Sequence, residues 1–370
     1  MNSLRRMGFM FLGMASATIL FLGLATSAFA ADEFCDTACT TGTCTVNTVH
    51  GGLMGAFTVT CNLHVTGTGA LNFTDNGSIT VQGDLTVDLP AGEGLGQIAA
   101  EGAGTDNGST GPGQNGGNAD NAGNGKNLMI NVDGDIDIHG NVSTDGGKGG
   151  NGGAGSGATS GNAFNGGNGG NGGNGGVLTI VGQMDALIDG TTVTSRGGNG
   201  GNGGNGGNRT TSGSGNGGNG GIGGTGGLGG SVSIQVCGNF ETVNADVDGD
   251  RVVARGGNGG SGGSGGNKAG SGTPGTAGAG GVGGDGGMIT LTADGDMIIA
   301  DKIHAQGGNG GNSGAAPPVK AANGDDGTIT VNSTGSEGMG LDTSAANFDP
   351  NYEPNLTINE DQDPVCNQCP

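Results

Sequence analysis

The chain has 370 residues, of which 95 are glycine, one is tyrosine (Tyr352) and none is tryptophan. So few large side chains exclude one large mixed core, and 9 prolines among interrupted triplets exclude a collagen helix. A formal net charge of −22 gives nucleic acid no electrostatic reason to bind.

Residues 1–30 carry Arg5 and Arg6, an apolar run from Met7 to about Leu24, and a small-X-small ending at Ala28-Phe29-Ala30. This is the pattern of a secretory signal peptide, with cleavage expected before Ala31. Phe9 sits one place late for a twin-arginine signal, so general secretion is the better reading. No other stretch approaches the ~18 apolar residues of a membrane span, and Cys35 lies beyond the position of a lipid-bearing cysteine. The mature chain is therefore expected to be exported, to the extracellular space, the cell surface or the periplasm, with no integral membrane segment.

Residues 31–76 hold Cys35, Cys39, Cys44 and Cys61. In an oxidising compartment, four cysteines this close read as two disulfides tying down an N-terminal cap, with three connectivities open. Zinc is the weaker reading, because export disfavours it and the spacings fit no usual site. Leu63, Val65, Leu71 and Phe73 alternate, so the cap is expected to end in strands.

Residues 77–335 repeat. Each copy opens with alternating apolar residues, turns at a glycine, resumes the alternation, then closes with an apolar residue four places before a glycine. SITVQGDLTVDL closes at Ile98, NLMINVDGDIDI at Val142, VLTIVGQMDALI at Val193, SVSIQVCGNFETV at Val252 and MITLTADGDMII at Ile303. TITVNS, around Ile329, begins a partial sixth. The closing glycines, Gly102, Gly146, Gly197, Gly256 and Gly307, are 44, 51, 59 and 51 residues apart. Alternation at period two means strands with one face inward. Short strands repeated in register mean a solenoid whose units bury their apolar edges only by stacking. The expectation is an all-β, right-handed parallel β-helix of five to six coils. Its inward ladders would be Leu128/Ile130/Val132, Leu178/Ile180, Val232/Ile234/Val236 and Ile289/Leu291.

Between the strand-bearing parts lie glycine runs, most regular from Gly197 to Gly230, where two glycines alternate with one free residue. A period of three fits neither α-helix nor strand, but fits an extended left-handed helix with three residues per turn. Such a helix has no internal hydrogen bonds, so its backbone groups need neighbours or water. Inserts leaving every coil at one corner are expected to pack on one flank as polyglycine II helices, with Ile222 and Leu228 facing the β-helix. The competing reading is a set of flexible linkers.

Residues 336–370 lose the pattern. Cys366 and Cys369 form a terminal CxxC, expected to close a local disulfide because no thioredoxin-like context surrounds it. Cys237 is the odd seventh cysteine, read as a small buried residue at a turn, with pairing between chains left open.

The most suggestive acidic feature is the recurring turn, with Asp84, Asp133, Asp135, Asp294 and Asp296 at matching places. Stacked carboxylates suit Ca²⁺, whereas Asp and Gly are also ordinary turn residues. No other cofactor is indicated. His50, His64, His139 and His304 fall at unrelated repeat positions. Basic residues are scattered, Arg196 and Arg255 each merely preceding two glycines, and aromatics for sugar stacking are scarce. No catalytic constellation meets geometric requirements even in outline, so the chain is not expected to be an enzyme. Asn-X-Ser/Thr sequons such as those at Asn72 and Asn141 are expected by chance in this composition and decide nothing about glycosylation.

With leader, strand repeats and GGNGG inserts together, residues 75–335 resemble bacterial exported glycine-rich β-helix proteins of the adhesin and filamentous-haemagglutinin kind. The inserts are also similar to glycine-rich repeats of mycobacterial surface proteins, to the polyglycine sandwich of phage tail-fibre adhesins and to springtail antifreeze protein. The chain lacks a transporter barrel, a sorting signal, a helical mycobacterial head domain and a regular threonine array. The resemblance implies a surface scaffold without naming a partner, whether glycan, protein or other surface. The expected function is a secreted or cell-surface structural or adhesive protein. The competitors are a polysaccharide-acting β-helix enzyme, for which Asp and Arg would cluster in one groove, and an ice- or mineral-binding protein.

Overall fold

The computed structural model describes residues 29–30, 34–88, 97–211, 214–243, 250–300, 302–333, 341–342 and 356–360. The described chain is all-β, with a single short 3₁₀ turn at Cys39–Thr41. Its strands form a 14-stranded and an 8-stranded sheet, and strands equivalent in successive repeats pair parallel and in register.

The strands fall into three columns. The first holds Leu128–Val132, Val177–Gly182, Ser231–Val236, Met288–Ala293, Thr328–Ser333 and Leu356–Glu360. The second runs from Thr43–Val46 through Asn62–Val65, Leu85–Val87, Ile136–Ile138, Ala186–Asp189 and Phe240–Val243 to Met297–Ile299 and Leu341–Asp342. The third contains Gln97–Ala99, Asn141–Ser143, Val193–Thr194, Asp250–Val253 and Lys302–His304. Two long strands, Val49–Val59 and Ala70–Val81, belong to the third column at their starts and the first at their ends. They join the two columns into the larger sheet.

Binary patterning explains the core. All ten residues expected to point inward, from Leu128 to Leu291, are at most 2% exposed. They stack as like on like: Ile79 lies opposite Ile130, then Ile180, Ile234, Leu291 and Val331 follow in the same ladder. Each such side chain contributes about 1.5–3 kcal/mol on leaving water. No single repeat could bury it alone, because the covering surface belongs to the next one.

The cysteine-bearing segment contributes strands to both sheets from Thr43 onward. Leu63 stands opposite Leu85 in the second column. Here the turns are short, since the third-column strand runs straight into the first-column strand. From Gln97 onward a glycine insert separates the two, so every excursion leaves at the same corner. Disulfides Cys35–Cys44 and Cys39–Cys61 pin the end, fixing the connectivity that spacing left open. They hold Phe34, 1% exposed, edge-on to Phe57 at 5.4 Å, with Phe73 edge-on to Phe57 at 5.8 Å. Phe34 belongs to the same buried apolar cluster as Phe57, Val59 and Leu63. Cys366 and Cys369 lie outside the described residues. Cys237, read from sequence as a small buried residue, is itself disulfide-bonded.

Candidate functional site: the faces and root of the glycine layers

Each insert is an outgoing and a returning arm, and the period of three assigns every backbone donor. Gly200 N–H donates to Asn258 O in the outgoing arm of the next repeat, at 2.8 Å. Gly201 N–H donates across to Gly170 O in the preceding returning arm, also at 2.8 Å. Asn202 N–H points outward and is met by the side-chain Oδ1 of Asn151, one repeat back, at 2.9 Å. The returning arms do the same: Gly224 N–H bonds Gly201 O, Gly223 N–H bonds Ala279 O, and Thr225 N–H bonds Asn171 Oδ1. Outgoing and returning arms thus form two hydrogen-bonded layers. A methyl on Gly200 would overlap Gly224 O, and one on Gly201 would overlap Gly150 O. Both glycines of the triplet face neighbours, and only the third residue can carry a side chain.

That rule corrects one expectation. Ile222 and Leu228 do not face the strands; they are 52% and 47% exposed, because outward is the only direction with room. Both outer faces are therefore lined by the variable residues. On the outgoing face Asn151, Asn202 and Ser261 stand in one file, and Asn199, Asn258 and Asn309 in the next. On the returning face Asn115, Asn165, Asn219 and Thr276 form another. In-register side-chain caps join residues 44, 51, 59 and 51 apart along the outgoing arms, the spacings of the closing glycines. Along an arm the repeat is roughly 9 Å, three residues of extended backbone; across arms it is about 5 Å, as between strands. Asn Oδ1 is spent on the next repeat, and among the described residues the Nδ2 donors of Asn151, Asn168, Asn199 and Asn202 have no protein partner. Near the arm tips a polar cleft of about 400 Å³ opens between Asn115, Asn162, Asn165, Asn216, Asn219 and Thr276.

At the root of the outgoing arms the residue before each closing glycine forms a charged column. Gly102, Gly146, Gly197 and Gly256 donate in turn to the carbonyls of Asp145, Arg196, Arg255 and Gln306 at 2.8 Å. The column therefore reads Glu101, Asp145, Arg196, Arg255, Gln306. Asp145 Oδ1 accepts the backbone N–H of Arg196 at 2.6 Å. Burial pushes the Asp145 carboxyl above its ordinary range, with Glu101 adding to the rise; the Arg196 N–H, the Thr194 side chain and the Arg196 charge oppose it. Sequence reading passed over these arginines as scattered. The available signal was their shared place immediately before a closing glycine.

The aspartate turns are a second ladder. Asp84 N–H bonds Asn62 Oδ1, Asp135 N–H bonds Asp84 Oδ1, and Asp185 N–H bonds Asp135 Oδ1, at 3.0–3.2 Å. Asn239 and Asp296 continue it at 2.7 and 2.8 Å. Asp84 and Asp135 are thus adjacent rungs, and Asp296 is separated from them by Asp185 and Asn239. Asp133 N–H joins the strand ladder through Val81 O, and Asp294 N–H through Val236 O. Sequence reading missed Asp185, because Gln183 occupies the place of Asp133 in that repeat. Among the described residues no group of three or more His, Cys, Asp or Glu converges to hold a metal ion. His64 contacts Asp88, and His139 lies 2.7 Å from Asp137 and 3.6 Å from Asp189.

Among the described residues no helix is long and apolar enough to cross a membrane. The chain matches no family model, no curated protein and no solved structure.

Proposed function

We propose that the chain is a secreted or cell-surface structural and adhesive scaffold without catalytic activity. In this reading the three strand columns are the faces of a right-handed parallel β-helix, and the glycine arms are polyglycine II helices projecting from one corner as a two-layer slab. The β-helix supplies rigidity and the slab supplies area. The observation that carries the reading is the double use of asparagine, whose Oδ1 caps the next coil while its Nδ2 donor is left for a partner. A rigid two-dimensional array of donors, with Ser and Thr interspersed, suits repetitive polar polymers better than a small-molecule pocket does. Disulfides at the N-terminal end agree with an oxidising compartment.

The test is antibody labelling of intact producing cells, together with adhesion of protein-coated beads to extracellular matrix. Surface labelling and adhesion that weakens when Asn199, Asn202 and Asn258 are replaced by alanine support the reading. Labelling only after lysis, or adhesion indifferent to those changes, contradicts it. A second reading, an enzyme acting on acidic polysaccharide, draws on the Glu101, Asp145, Arg196, Arg255 column. It requires new reducing or unsaturated ends to appear when such polymers are incubated with the protein.

A further inference from the structure

Arg196 and Arg255 occupy adjacent rungs of one column, joined by the Gly197 N–H to Arg255 O bond at 2.8 Å. Their backbones are therefore about 5 Å apart, the spacing of neighbouring strands. Like charges directly opposite on neighbouring strands repel, and 59 residues of sequence have been folded to bring these two together. Among the described residues neither guanidinium has a carboxylate within 4.0 Å or a hydrogen-bond acceptor. The carboxylate one rung below, Asp145, spends its Oδ1 on the Arg196 backbone N–H instead. Nor does Arg196 lift its whole head group into water, since its Nε is buried without a partner. A buried guanidinium N–H left unpaired is costly; with Nε out of reach of any ligand, the terminal nitrogens of Arg196 and Arg255, which are not among the buried unpaired atoms, are the donors left to an oxyanion.

We propose that Arg196 and Arg255 together form an oxyanion site that takes the carboxylate of an acidic, hydroxyl-rich ligand such as a uronic-acid glycan. Guanidinium forks match the two oxygens of a carboxylate, and two forks one rung apart embrace one group from both sides. Asn199 and Asn258 stand three residues further along the same arms, exposed and in register with each other. Roughly 9 Å from the arginines, they face the hydroxyls of an adjoining sugar. On the other side Glu101 and Asp145 exclude a second acidic group from the lower half of the column. The ligand thus lies along the outgoing arms, with its carboxylate at their root. The net charge of −22 opposes approach of a long polyanion at low salt. Screening over about 8 Å at physiological ionic strength confines that opposition to the near surface.

The choice of a glycan as carrier rests on the adhesive reading; the oxyanion site does not, and one titration separates them. The full chain is titrated calorimetrically with an oligogalacturonate, with the matching neutral galactose oligomer and with inorganic sulfate. The same titrations are repeated on R196Q, R255Q and R196Q/R255Q, each checked for an unchanged far-ultraviolet spectrum. The expected result is binding of the uronate oligomer and not of the neutral one. Affinity falls about tenfold in each single variant, the loss of one charge-assisted bond, and is abolished in the double variant. No binding of the uronate oligomer, binding that survives R196Q/R255Q, or binding of sulfate alone overturns the proposal. Binding of the uronate oligomer by a protein that labels only inside cells keeps the site and overturns the adhesive reading.

Discussion

Asn168 Oδ1 accepts the backbone N–H of Ile222 at 2.9 Å across 54 residues of sequence. One repeat earlier Asn118 Oδ1 meets the N–H of Asn168 itself at 2.8 Å. An arm with two glycines in every three residues satisfies two of its three N–H groups through neighbouring arms and leaves the third outward. Asparagine one repeat back fills that vacancy. Ile222 receives a cap but cannot give one, so the file of side-chain caps ends there.

Replacing Asn168 by alanine is expected to destabilise by about 0.5–1.5 kcal/mol, the net worth of one hydrogen bond. The value lies at the low end because water reaches the exposed N–H. Asn168→Asp, which keeps an acceptor, should cost less, and Ile222→Ala less still. Midpoints of denaturant unfolding for the three variants, taken at equal slope, check the order.

Gly201→Ala should cost about 1–3 kcal/mol through overpacking, since its methyl would overlap Gly150 O. Asn202→Ala, one residue away, loses only an exposed cap and should stay within about 1 kcal/mol. Inverting that order would contradict the assignment of faces.

Removing the Cys39–Cys61 bridge with C39S/C61S should cost about 3 kcal/mol. Removing Cys35–Cys44 should cost less, because it closes a separation of 9 residues rather than 22. Thermal unfolding of both variants, with and without reductant, measures the difference.

Asp145 sets a pH dependence of definite sign. Its carboxyl titrates above the ordinary 3.8, raised first by burial, so between those two values the folded state holds more protons than the unfolded one. Stability therefore falls as pH rises through that window, and the full penalty persists above it. Asp36 acts oppositely: burial works against its charge, but the N–H groups of Asn47 and Thr48, the Thr48 hydroxyl and His50 outweigh it and lower its titration. Its contribution is present above pH 3.8 and lost as pH falls through the lowered value. Asp145→Asn keeps an acceptor for Arg196 N–H and removes the charge. It should flatten the Asp145 component and leave stability at neutral pH equal or higher, as read from unfolding midpoints from acid to neutral pH.

Asp135→Asn should be nearly neutral, since the ladder uses one oxygen of each side chain, whereas Asp135→Ala should cost about 1 kcal/mol. Calcium and a chelator should leave both midpoints unchanged. A midpoint raised by Ca²⁺ in the wild type and lost in Asp135→Asn would instead make the turns a metal site.

Strands were legible because alternation and burial share one cause, and inward residues such as Ile130, Ile180 and Ile234 needed no tertiary information. The spacing of the outgoing arms was legible too, in the intervals between closing glycines such as Gly197 and Gly256. What stayed hidden depended on neighbours distant in sequence. The strands at Thr43–Val46 and Asn62–Val65 turn too tightly to carry the glycine marker. The outward aim of Ile222 and Leu228 follows from which sides of an arm are occupied. Arg196 and Arg255 meet only once inserts of unequal length are folded out, and the Asp185 rung was masked by Gln183 two places before it.

The central claim, that the glycine runs are ordered layers built on stacked strands, is tested most directly by native-state hydrogen exchange resolved to the inserts. The layers predict that the glycine amides of residues 197–207 and 217–230 are protected to the same order as those of Val177–Gly182 and Ser231–Val236, and are released with them in one unfolding event. Insert amides exchanging at the rate of an unfolded chain, while those strands stay protected, would contradict it.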